Sequence, residues 1–218
     1  MRTIAVIARK GGSGKTTVAV HLAIAAHLRG RQVLLADADR QQSASTALRG
    51  RYGAGPNFAP TTGAELDGLQ RTAVRRKIDA MVIDTAAAEE DLERAIVLAN
   101  LTLLVIRPTF LDFAAAVETA AVLRRMGRPG VIVLNQAPVA RAGVEPPLVR
   151  KAQEAVQLMR LPLAPTILRA RAVYQQALET GRSAEELGAG GPAAQEVADL
   201  WRFVDRVLFG AQAERMRA

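Results

Sequence analysis

The apolar run TIAVIA, residues 3–8, passes directly into RKGGSGKTT, residues 9–17. From there the chain enters a segment whose apolar residues Val18, Leu22, Ile24, Ala25 and Leu28 recur at helical spacing until Gly30. A β-branched run, a glycine-rich loop and a helix in immediate succession leave few folds open. Glycine accepts the positive φ angles that turn successive backbone N–H groups toward one point, forming a nest for an anion. The first turn of the helix adds unpaired N–H groups and the positive end of its dipole. GGSGKTT matches the core of the phosphate-loop pattern G-x-x-x-x-G-K-[ST], with Arg9 standing where the first glycine is expected. On that pattern Gly11, Gly12, Ser13 and Gly14 cradle phosphates, and Lys15 reaches the β- and γ-phosphates. The Thr16 hydroxyl ligates Mg²⁺, with Thr17 beside it in the same site.

Further β-rich apolar runs recur at 32–37, 80–84, 101–106 and 130–135, with a weaker one at 161–167. Helical patterns lie between most of them, at 16–29, 43–50, 64–77, 89–99, 113–126 and 147–160, and a last helix is expected from Ala193 to Phe209. The strands are continuously apolar rather than alternating, as in sheets covered on both faces. Strands alternating with helices predict an α/β fold with a doubly wound, mostly parallel sheet flanked by helices. Ligands of such sheets bind at the carboxyl ends of the strands. The segment 51–63 reads as the most loop-like interior stretch, and 181–192 as a connection between two helices. No repeat or linker divides the 218 residues, so a single domain spanning 1–218 is expected.

The absence of cysteine excludes disulfides, thiolate-held clusters and thiol nucleophiles, and it suits a reducing cytosol. The longest apolar stretch, AIVLANLTLLVI, is too short to span a bilayer. No signal peptide precedes the first strand, and a soluble, cytoplasmic protein is expected. The formal net charge of +8 makes polyanions candidate partners, although heavy use of Arg, Ala and Gly also follows from a GC-rich genome.

Three acids fall at strand ends. In LLADADRQQ, Asp37 and Asp39 are spaced i, i+2 and share one side of an extended chain, so both can face the phosphate site. AMVID ends on Asp84, an acid closing an apolar strand, the shape of a Walker B motif whose carboxylate holds Mg²⁺ through water. Thr85, the next residue, is a candidate to orient the γ-phosphate or a water. Farther on, VIRPTFLDF places Asp112 as a first-turn or capping acid or, alternatively, at an interface between subunits.

The pattern KGGSGKTT resembles the deviant Walker A motif of the ParA/MinD superfamily of P-loop ATPases. The resemblance is strongest to its small ParF-like partition members, whose loop after the Walker B acid is also variable. Its sharp motifs lie in the first 90 residues. The resemblance implies ATP and Mg²⁺ as ligands and weak ATP hydrolysis stimulated by a partner. It implies a homodimer in which Lys10 reaches across to the phosphates of the partner subunit. Two of only four lysines in this arginine-rich chain lie in that loop, and an ammonium is not interchangeable with a guanidinium fork. By the same resemblance Asp39 positions or deprotonates the attacking water, Asp37 supports the Mg²⁺ shell, and Asn135 in VLNQAP contacts adenine. For Asn135 a turn-forming role before Pro138 is an equal reading. Arg40 departs from the family's proline in D-x-D-P-Q.

The leading expectation is a partition or positioning ATPase that coats nucleoid DNA without sequence preference and answers to a ParB/ParG-like or other cargo adaptor. Arg169, Arg171 and Arg182, with Lys151 nearby, are the expected DNA-binding residues. A MinD-like membrane regulator of division is the alternative. It requires an amphipathic anchor, and the stripe Val197, Leu200, Trp201, Val204 and Leu208 reads instead as a core-facing helix. A metabolic ligase sharing the fold is disfavoured by Lys10.

Overall fold

The computed structural model describes residues 1–210. Six strands form one sheet: β1 (Arg2–Ile7), β2 (Val33–Ala38), β3 (Asn57–Pro60), β4 (Ala80–Thr85), β5 (Leu101–Ile106) and β6 (Gly130–Leu134). Their spatial order is β3-β2-β4-β1-β5-β6, and every pairing between them is parallel. Parallel neighbours need crossovers, and helices supply them on both faces. Numbered in chain order, α1 (Lys15–Leu28), α2 (Ser43–Arg49), α7 (Ala172–Glu179), α8 (Ala184–Leu187) and α9 (Pro192–Phe209) pack with Ile4, Val6, Leu35, Val82 and Leu103. On the other face, α3 (Leu66–Arg75), α4 (Glu89–Leu98), α5 (Phe110–Arg125) and α6 (Pro147–Leu158) pack with Ala5, Ile7, Met81, Ile83 and Leu104. Alternate residues of one strand thus serve two cores. This is why the strands read as unbroken apolar runs.

β1 and β5 are hydrogen-bonded neighbours, yet the chain leaves them toward opposite faces, through α1 and α5. The crevice at their carboxyl ends is the topological switch point where such sheets bind ligands. The glycine loop opens into it.

Two details differ from the expectation. The loop-like segment 51–63 contains β3, a four-residue edge strand paired to β2 through Leu34–Asp37. It has no hydrophobic pattern because Asn57 and Pro60 are exposed, and Pro60 ends it. The weak run 161–167 is not a strand. It touches β6 through one isolated bridge, with Ile132 N–H donating to the Pro162 carbonyl and Ala164 N–H to the Ile132 carbonyl, both at 2.8 Å. Pro162 has no N–H to donate to β6, which stops the pairing from extending on that side. The connection 181–192 also holds the short α8, started by a capping box between Ser183 and Glu186.

The apolar stripe of α9 is buried: Val197, Leu200, Trp201, Val204 and Leu208 all lie in the core. Residues 211–218, the end of the carboxyl-terminal segment that an anchor would occupy, lie outside the described residues. No described helix is long and apolar enough to cross a membrane.

Candidate nucleotide site

The glycine loop adopts the conformation its sequence allows. Gly12 and Gly14 have φ of 75° and 91°, and Gly14 is the left-handed residue from which α1 starts. A Cβ on Gly14 would stand 2.2 Å from Asn135 Nδ2, so the position excludes any side chain. Ser13 is buried and its hydroxyl meets no partner among the described residues. Lys15 is buried at the start of α1, whereas Lys10 and Gly11 are exposed. Thr16 and Thr17 are half-buried in the first turn. Arg9, in the place of the missing glycine, is tied down by Glu89 of α4 at 2.5 Å and Glu118 of α5 at 2.7 Å.

The acids arrive from β2 and β4. Asp37 and Asp84 are register partners, and both are fully buried. Asp37 is hydrogen-bonded: Ser45 N–H donates to one oxygen at 2.7 Å and Asp39 N–H to the other at 3.3 Å. Both oxygens of Asp84 lack a hydrogen-bond partner of good geometry among the described residues. Burial pushes the Asp84 carboxyl up to about 7. The Thr16 hydroxyl and the Lys15 charge pull it down, and the charges of Asp37 and Asp39 push it further up. Asp39 is half-exposed and accepts from Gln41 N–H through one oxygen at 2.9 Å. Thr85, the candidate to orient a phosphate or water, has its hydroxyl engaged elsewhere. It is fully buried and donates to the carbonyl of Val6 at 3.1 Å, stitching β4 to β1.

Asn135 follows β6, and its buried amide donates to the Ser13 carbonyl at 2.8 Å. The neighbouring Gln136 amide donates to the Gly12 carbonyl at 3.0 Å. Gln136 is not legible in the sequence, because a contact across 124 residues leaves no local signal. Together the two amides clamp the loop from one side. Beside them lies an open cavity of about 440 Å³, lined by Thr17, Asn135, Gln136, Arg169, Arg171 and Tyr174 among others.

Arg169 and Arg171, expected as DNA contacts, therefore sit next to the phosphate loop, and both are neutralised. The Arg169 guanidinium pairs with Glu145 and also donates to the Pro138 carbonyl at 2.9 Å. Arg171 pairs with Glu196 of α9 at 2.8 Å, and Glu196 also accepts from the Tyr174 hydroxyl at 2.7 Å. Lys151 and Arg182 are exposed and make no ion pair among the described residues. They do not join the others in one patch: Lys151 is on α6, whereas Arg182 lies between α7 and α8, on the opposite face of the sheet. Asp112 is 2% exposed, which removes it from any surface between subunits. Thr109 caps α5 and Asp112 is the first-turn acid.

Residues 4–200 match the family described as the CobQ/CobB/MinD/ParA nucleotide binding domain. The chain belongs to this family. It is 34% identical over 190 residues to the maintenance of carboxysome distribution protein A of Gloeobacter kilaueensis, covering 84% of this chain and 83% of that one. The septum site-determining protein MinD of Pyrococcus horikoshii, solved with Mg-ADP, shares the fold with a TM-score of 0.73 at 22% identity, over 95% of this chain and 97% of that one. An ATP complex of a Cyanothece McdA variant superimposes with a TM-score of 0.76 at 18% identity, over 95% and 96%.

ATP and Mg²⁺ are the ligands of this nucleotide-binding fold, and the residues present fit both. The positive-φ glycines and the start of α1 form the nest for phosphates. No group of three or more His, Asp or Glu side chains able to hold a metal occurs among the described residues. Mg²⁺ keeps several waters and takes one or two carboxylates plus substrate phosphates rather than a protein cage. The unpartnered Asp84 carboxylate beside Thr16 is the orphaned group such a hydrated cation satisfies.

Proposed function

We propose that the chain is a ParA-type positioning ATPase that closes into a homodimer around ATP and Mg²⁺. Bound to ATP, it associates with nucleoid DNA without sequence preference and is released when a cargo adaptor stimulates hydrolysis. The observation that carries this reading is the contrast between the two lysines of one loop, Lys15 buried at the nest and Lys10 exposed at its mouth. Lys15 serves the phosphates of its own subunit. Lys10 is exposed and has no carboxylate to pair with among the described residues, which leaves its ammonium available for phosphates held by a facing copy. The relative named for carboxysome distribution supports the positioning class.

Hydrolysis of this type is positioning and charge neutralisation, with little covalent work for the protein. Gly11, Gly12, Ser13 and Gly14 hold the phosphates with backbone N–H groups. The Thr16 hydroxyl, Asp84 and Asp37 would hold Mg²⁺, the two acids through water, and the ion would supply positive charge beside the phosphates. Asp39, with one carboxylate oxygen unengaged, orients the attacking water. Asn135 and Gln136 keep the loop in its phosphate-binding shape.

DNA association rests on the net charge of +8 together with exposed cations such as Lys151 and Arg182. Each phosphate contact made by duplex binding steepens the fall of affinity with salt by about 0.9 in the log–log slope. The test is sedimentation with random-sequence duplex and, in parallel, with anionic vesicles, each without nucleotide, with ADP and with ATP. ATP-dependent, salt-sensitive pelleting with DNA is expected. Pelleting with vesicles alone would replace this reading by the MinD-like one, and association with neither would remove the positioning role.

A further inference from the structure

Arg107 is the first residue after β5, across the switch-point crevice from the glycine loop. Asp112 holds it by three contacts. Arg107 Nε and Nη2 donate to the two carboxylate oxygens at 3.1 and 3.0 Å, and its backbone N–H donates to one of them at 3.2 Å. Asp112 is fixed in turn by the Thr109 hydroxyl at 2.7 Å. Burial raises the Asp112 carboxyl, but the hydrogen bonds from Arg107 and Thr109 outweigh this and hold it below the usual carboxylate range. On the loop side Asp112 lines a small cavity together with Ala8, Arg9 and Lys10.

The remaining end of the guanidinium points elsewhere. Arg107 Nη1 makes no hydrogen bond among the described residues and lies 3.8 Å from where a Cβ on Gly12 would stand. Among the other arginines around the site, Arg9 is engaged by Glu89 and Glu118, Arg169 by Glu145 and Arg171 by Glu196, while exposed Arg40 makes no ion pair among the described residues. The start of α1 at Gly14 and Lys15 holds the middle of a triphosphate in this motif. Gly12 lies two residues upstream of Gly14. With Lys15 reaching the β- and γ-phosphates as in this motif, the terminal phosphate would come over that side.

We propose that Arg107 is a γ-phosphate-reading residue, aimed over Gly12 by the buried Asp112, that makes the site prefer ATP to ADP. The inference rests on the nucleotide reading given above. Its chemistry follows from the guanidinium fork, which can give two N–H groups to a carboxylate and still present another nitrogen to a phosphate. An ammonium cannot hold both in fixed directions. The Arg107–Asp112 pair is close to neutral as a unit, so its contribution is directional hydrogen bonding, already oriented before nucleotide arrives.

The experiment is calorimetric titration of Mg-ATP and Mg-ADP into wild type, Arg107→Lys and Arg107→Gln, with the melting temperature of each nucleotide-free protein measured alongside. Both variants are expected to lose roughly ten- to a hundred-fold in affinity for ATP, the scale of a charge-assisted hydrogen bond, while ADP affinity changes less than about three-fold. Arg107→Lys keeps the charge and one bond to Asp112, so it remains folded if Arg107→Gln does not. Equal losses for ATP and ADP, or a lowered melting temperature with unchanged ATP preference, would make Arg107 a structural partner of Asp112 and overturn the inference. Unaltered ATP affinity in Arg107→Lys would also overturn it. Failure of wild type to bind either nucleotide would instead remove the nucleotide reading, and the inference with it.

Discussion

Asp37 and Asp84 are register partners on β2 and β4, yet among the described residues only Asp37 has hydrogen bonds of good geometry to its carboxylate. Two buried acids on neighbouring strands repel, and the one without partners carries the cost. Such a pair is organised for a cation.

The first prediction follows from that cost. The Asp84 carboxyl is raised to about 7 from 3.8, so the folded protein holds the proton more tightly than the unfolded chain. The contribution of Asp84 to stability without nucleotide therefore falls as pH rises from about 4 to 7. Asp84→Asn is expected to be more stable than wild type at pH 8, by up to about 4 kcal/mol, since each tenfold difference in proton affinity between the folded and unfolded chain is worth roughly 1.4 kcal/mol. The difference should fade at pH 4, and the variant should lose Mg²⁺-dependent stabilisation by ATP. Urea denaturation at both pH values, with and without Mg-ATP, reads all three; a variant less stable than wild type at pH 8 contradicts the assignment.

His21 gives the opposite pH dependence. It is buried on α1, with Nδ1 donating to the Thr17 carbonyl at 2.8 Å and the ring edge-on to Tyr174 at 5.2 Å. Its Nε2 meets no partner among the described residues. Burial lowers it to about 4, against the Thr17 carbonyl and the Glu186 charge, which both raise it. The stability tied to neutral His21 is present above 6.5 and is lost as pH falls toward 4. Between pH 7.5 and 4.5 wild type should lose roughly 2 to 3 kcal/mol more than His21→Leu. Equal losses in the two proteins would show that His21 accepts its proton without penalty.

The two loop lysines separate binding from assembly. Lys15→Ala is expected to abolish ATP binding, since the buried counter-charge at the nest is gone. Lys10→Ala is expected to bind ATP near normally while failing to form a productive dimer or hydrolyse ATP. Calorimetry and light scattering on the same samples distinguish them, and wild-type turnover by Lys10→Ala would reduce that residue to a surface charge.

What depends on neighbours in the chain is legible in the sequence. Strand, loop and helix at residues 3–28 follow from β-branching, glycine freedom and helical spacing, all local. β3 is not legible, because an edge strand of four residues is defined by its partner β2 rather than by its own pattern. Arg169 and Arg171 look like free cations in the sequence because their carboxylates, Glu145 and Glu196, lie 24 and 25 residues away and only the fold brings them close. A double change of both to glutamate would place like charges together beside α9. It would damage the fold rather than report on DNA.

Asn135 supplies the last prediction, because two roles assigned to it give different results. As an adenine contact, its removal would weaken ATP but not GTP. Its Nδ2, however, is engaged with the Ser13 carbonyl, in a buried position at 4% exposure, and it closes against the face of Gly14. A clamp on the loop acts on phosphates, which every nucleoside triphosphate shares. Asn135→Ala is therefore expected to weaken ATP and GTP by the same factor, of roughly three- to ten-fold for one lost hydrogen bond. Gly14→Ala should be worse, since its Cβ would meet Asn135 at 2.2 Å and its φ of 91° is strained for any side chain. Combining the two removes the steric clash but not the backbone strain, so the double variant should recover part of the stability lost by Gly14→Ala. Thermal denaturation of the three variants and competition binding of ATP against GTP complete the test. A selective loss of ATP in Asn135→Ala would return this residue to the base.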